Sequence, residues 1–61
     1  MLDIKFSTIN EGIEKLKECV SIRNQMGGAL YWNICNDDCL KLADKLIDKG
    51  ANLSDIKQIL N

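Results

Sequence analysis

Three cysteines, Cys19, Cys35 and Cys39, and the acidic pair Asp37-Asp38 are the residues of this chain best suited to chemistry. Cys35 and Cys39 are four apart, so a helix sets both thiols on one face. Zinc would be the metal for such thiolates, but it usually takes four ligands. The chain has no histidine, and Cys19 offers the one further thiolate. Nucleophilic catalysis by a thiol needs a nearby base and a lowered pKa. Without histidine that base would be a lysine or a carboxylate, and the spacing nominates neither. Asp37 and Asp38 have a plainer role as acids favoured near the positive end of a helix dipole. The expectation is therefore no metal, no cofactor and no enzymatic activity. The thiols are read as reduced, small buried hydrophobes whose replacement would weaken the fold without abolishing it.

The elements that must position these residues have little chain to work with. The 61 residues make one small domain, 1–61, that buries about 60% of the surface its unfolded form exposes. Hydrophobic residues at 46% and charged ones at 28% exclude a disordered segment. Domains of this size usually add a staple, and a second copy of the chain is the one expected here. An odd cysteine count and an opening Met1-Leu2-Asp3-Ile4-Lys5-Phe6 without a signal-peptide pattern point to a cytoplasmic protein. No run approaches the ~18 apolar residues that span a bilayer. Eight Lys and Arg are interspersed with nine Asp and Glu, giving a net charge of −1. DNA-binding modules show a basic patch because phosphate contacts supply much of their affinity. Its absence argues against nucleic acid.

Residues 2–6 alternate apolar and polar, as a half-buried strand or an ordered extended arm does. Thr8 with Glu11 forms the pattern of a capping box. From there Ile9, Ile13, Leu16 and Val20 lie on one stripe of a helix that runs to about Met26 and ends at Gly27-Gly28. Gly12 weakens its start a little. Glu11 with Lys15 and Glu14 with Lys17 support its solvated face. In the next helix Cys39, Leu42, Ala43, Leu46 and Ile47 face one way, against Asp37, Lys41, Asp44, Lys45 and Asp48. Gly50 closes it, with Lys49 at the negative end of the dipole.

Residues 29–36 fit two readings. A helix continuous from Ala29 adds Trp32 and Cys35 to the apolar stripe, yet leaves Leu30 and Ile34 on the polar face and puts Asn36 inside the apolar one. Alternatively Asn36 caps a later helix, and 29–35 is a short strand beside 2–6. The continuous helix is preferred, since two isolated strands need more cover than this chain has. A third, short helix follows, capped by Asn52 with Asp55 and burying Leu53, Ile56 and Leu60.

The 15 residues Leu46-Ile47-Asp48-Lys49-Gly50-Ala51-Asn52-Leu53-Ser54-Asp55-Ile56-Lys57-Gln58-Ile59-Leu60 resemble the helix-turn-helix near the carboxyl end of tyrosine recombinases. Glycine, a small residue, Asn, Leu and later Ile and Leu recur at that spacing. The recombinases' arginines, histidine and tyrosine nucleophile have no counterpart, so the resemblance implies a helix, a turn and a helix and no catalysis. The segment is similar, more loosely, to the two-helix hook of Sin-type antirepressors, which intrudes into a repressor's dimer interface. Its Gly50 to Ile56 spacing matches and its turn residues differ.

The fold expected is all-α, an antiparallel helical hairpin with a short third helix across its end and an extended N-terminal arm. The alternative is α+β, with short strands at 2–6 and 29–35. The expected core is Ile9, Ile13, Leu16, Val20, Trp32, Cys39, Leu42, Ala43, Leu46, Ile47, Leu53, Ile56 and Leu60. Leu30, Tyr31 and Ile34, with Ile22 beside them, cannot all face that core and form a candidate protein-binding patch. The function expected is that of a small regulator, inhibitor or adaptor of bacterial or phage origin. It would act stoichiometrically on another protein and associate with itself as a homodimer. The alternative is a DNA-binding helix-turn-helix module or accessory factor.

Overall fold

Thr8 stops the extended chain and starts the first helix, because its side-chain oxygen accepts the Glu11 N–H at 3.1 Å and satisfies one of the orphan donors of the first turn. The computed structural model describes residues 5–61. It contains α1 (Ile9–Gln25), α2 (Ala29–Asp48) and α3 (Leu53–Leu60), and no strand among the described residues. Most of the 2–6 alternation lies outside the described residues, and Lys5 and Phe6 are in no regular element.

Residues 29–35 are helix, which overturns the alternative of a strand there. Gly28 is the N-cap and provides no side-chain bond. Asn36 sits inside α2 and not at its start, so it caps nothing. At the far end Gly50, at φ +102°, turns the chain in the left-handed region that favours glycine. The Ala51 N–H then returns to the Leu46 carbonyl at 3.0 Å. Asn52 starts α3 by accepting the N–H groups of Ser54 and Asp55 at 2.8 and 3.4 Å.

Facing residues show how the long helices pack. Gly12 meets Leu46, Cys19 meets Cys39 and Arg23 meets Asn36. Advancing along α1 means retreating along α2, so the pair is an antiparallel hairpin. Its core is Leu16, Cys19, Val20, Cys39, Leu42, Ala43, Leu46 and Ile56, with Phe6, Ile13, Ala51, Ile59 and Leu60 packed around it. Each fully buried Leu or Ile contributes about 1.5–3 kcal/mol.

Four expected core residues, Ile9, Trp32, Ile47 and Leu53, are exposed instead. Ile9 lines an open groove between α1 and α3. Leu53 is in the first turn of a helix that buries one residue, Ile56. An eight-residue α3 is about 12 Å long and cannot cover a hairpin whose molecule extends 33 Å.

Gly12 is more than a weak point in α1. A Cβ there would come within 2.5 Å of Leu46 Cδ2 and 2.8 Å of Phe6 Cδ2. The bare backbone lets α1 approach α2 and lets Phe6 close over both, with the Lys49 ammonium 6.0 Å from the ring centre.

Candidate protein interface

The outward face of the first two turns of α2 is apolar. Leu30 is 69% exposed, Tyr31 64% and Ile34 53%. Leu30 and Ile34 are one turn apart, on the side of α2 away from Cys39, Leu42 and Leu46, which are buried. Tyr31 flanks them, and a Cβ on Gly28 would meet its ring at 3.7 Å. Ile22 is half-buried in α1. Residues 24–36 contain no Lys, Arg, Asp or Glu, whereas 37–61 carry five Asp and four Lys. A contiguous exposed apolar patch is the feature that sets a binding surface apart from scattered surface hydrophobes.

Directly behind this patch sits a polar cluster that sequence reading missed. Arg23 is 6% exposed. Its guanidinium donates to Asn36 Oδ1 at 2.8 Å, to the Leu60 carbonyl at 2.9 Å and to Asn24 Oδ1 at 3.2 Å. It also lies 4.9 Å from the centre of the Trp32 ring, within cation–π range. One side chain therefore ties all three helices together. A buried cation without a carboxylate would be costly, but the Leu60 carbonyl belongs to the negative end of the α3 dipole and offsets part of that cost. The signal was present in two halves. Three residues after Val20 the α1 stripe lands on Arg23, and Asn36 is the one polar residue inside the α2 stripe. Each looks like an exception until the two are placed together.

The three thiols converge lower in the hairpin. Cys19 and Cys39 are buried, Cys35 is half-buried, and all three are free. The Cys39 thiol donates to Cys19 Sγ at 2.9 Å, and the Cys19 thiol faces the Cys35 carbonyl at 3.9 Å. Burial pushes the Cys19 thiol up from 9.0 to about 12, helped by the hydrogen bond to Cys39 and by the nearby Cys39, Asp38 and Cys35. A raised acid pKa favours the neutral thiol. The stability this contributes is fully present below about pH 9 and is lost as pH rises from there through about 12. Cys19 and Cys39 are packed away from solvent in the resting fold.

Among the described residues no group of three or more His, Cys, Asp and Glu could hold a metal ion, and no helix is long and apolar enough to cross a membrane. In the α2–α3 unit that resembles a helix-turn-helix, α3 presents Ser54, Asp55, Lys57 and Gln58 outward. Compared with family models, with curated proteins and with solved structures, the chain matches none.

Proposed function

We propose that this protein acts stoichiometrically and without catalysis, as a small regulator, inhibitor or adaptor that binds another protein through Leu30, Tyr31 and Ile34, with Ile22 at the margin. The observation that carries this reading is the uncharged 24–36 segment, whose three large apolar side chains are more than half exposed. Leaving them in water forgoes burial energy that a domain this small needs. A second copy of the chain is the occupant the chemistry favours. Two uncharged faces meet without like-charge repulsion, and a two-fold contact pairs the same patch with itself. Free cysteines suit a reducing, cytoplasmic setting, and a chain rich in Asn, Lys and Ile is compatible with an AT-rich bacterial or phage genome.

Sedimentation equilibrium of the wild type beside a Leu30→Asp, Ile34→Asp variant tests the reading, with far-UV circular dichroism as the check on folding. The wild type should be dimeric and the folded variant monomeric. A wild type that stays monomeric, and that captures the same proteins from lysate as the variant does, would leave this face without an interface role.

A further inference from the structure

We propose that Cys19 and Cys39 form a two-electron dithiol site, which a low-molecular-weight disulfide of the glutathione class converts into an internal disulfide pinning α1 to α2. The two sulfurs already lie 2.9 Å apart. A disulfide bond is about 2.05 Å long, so less than about 1 Å of closure separates the free pair from the bonded one. The cysteines occupy facing positions on antiparallel helices, and neither helix contains a residue in the left-handed region that would have to change. Cys35, half-buried and a turn earlier on α2, offers Cys19 its backbone carbonyl.

The exchange balances as follows. The thiolate of one cysteine attacks a sulfur of oxidised glutathione and expels one glutathione thiolate, leaving a mixed disulfide. The second cysteine, deprotonated in turn, attacks the protein sulfur of that mixed disulfide and expels the other glutathione thiolate. Two protein thiols lose two electrons and two protons, and oxidised glutathione becomes two thiols. The second step is intramolecular between sulfurs held side by side, so it outpaces a second encounter with glutathione. Both thiols are at most 1% exposed. The first step therefore waits on local opening of the hairpin, and the product disfavours further opening.

The test incubates the whole protein with mixtures of reduced and oxidised glutathione, quenches by alkylation and cleaves both after Arg23 and ahead of Asp37, which puts Cys19, Cys35 and Cys39 on three separate peptides. Expected are one alkylated cysteine, Cys35, a cross-linked peptide joining Cys19 to Cys39, and a Tm raised by about 10–20 °C that dithiothreitol reverses. Cys35→Ser should leave both the cross-link and the shift in place, and Cys39→Ala should lose both. The Cys35→Ser arm decides the matter even if Cys39→Ala fails to fold. Three alkylatable thiols in folded protein at the most oxidising mixture would overturn the proposal. So would a stable glutathione adduct, a link through Cys35, or a cross-link that leaves Tm unchanged.

Discussion

The two ends of this hairpin obey different rules, although both are built from the same pair of helices. At the end where α3 packs, the chain carries its charges on the outside and buries Leu46 and Ile56 to at most 1% exposure, although Ile9, Ile47 and Leu53 stay partly in water. Lys41 pairs with Asp37 at 3.5 Å on that outer face, a contact worth a few tenths of a kcal/mol that serves solubility more than stability. At the tip the pattern inverts, with no charges from 24 to 36 and three large apolar side chains in water. Two helices bury one face of each other, and a third layer is needed to cover more. The C-terminal end of α3 is tied through Arg23 to Asn36 on the inner side of α2, so α3 leaves the outer side of the tip uncovered. The difference teaches that exposure at the tip follows from the face its residues occupy, since Leu30 and Ile34 lie on the side of α2 away from the core that α1 and α3 cover.

The sharpest way to break this comparison is one substitution made at each end. Leu46→Ala should cost about 3–4 kcal/mol, since it empties a fully buried site. Leu30→Ala should change monomer stability by less than about 0.5 kcal/mol. Urea unfolding of both variants, at a concentration where the wild type is monomeric, measures the pair. A similar cost at both sites would mean that the tip is covered within the monomer.

Arg23 lies on the border between the two ends. Arg23→Ala should destabilise by about 2–3 kcal/mol, because it strands the Asn36 side chain and the Leu60 carbonyl and removes the cation beside Trp32. Hydrogen exchange should locate the loss first in α3. Protection lost equally across α1 and α2 would show that Arg23 supports the hairpin as a whole rather than the seat of the third helix.

Gly12 tests the tight end with the smallest effect. Gly12→Ala gains about 1 kcal/mol of helix propensity and loses about 1–3 kcal/mol by overpacking against Leu46 and Phe6, for a net destabilisation of about 1 kcal/mol. In a Phe6→Ala background, where the ring no longer crowds the site, the same change should cost less or turn favourable. A thermal-melt double-mutant cycle reads the difference. Additive effects would mean that Phe6 does not press on Gly12.

Local signals were legible because the residues that carry them act within one turn. Thr8, Gly50 and Asn52 mark helix ends through bonds to groups two to four residues away, and the α1 and α2 stripes announce the hairpin through simple periodicity. The same periodicity placed Leu30 and Ile34 opposite the core. It also promised burial to Ile9, Trp32, Ile47 and Leu53, and here it failed. Periodicity states which face turns inward, but whether a residue at the edge of that face is covered depends on what packs opposite it.

By itself, then, the sequence marked three helices, most of their ends and the face each turns inward, since caps and stripes are written in short-range spacing, but it left the start of α2 open between Ala29 and a cap at Asn36. The tertiary structure alone decided what those faces meet. It paired Arg23 with Asn36 across thirteen residues of sequence and turned Gly12 from a weak helix position into a point of closest approach. It also set Cys19 against Cys39 in place of the helical neighbours Cys35 and Cys39. Each of these depends on the register of α1 against α2. That register is fixed by the summed packing of the whole hairpin and by the closeness Gly12 permits, and no local pattern encodes it.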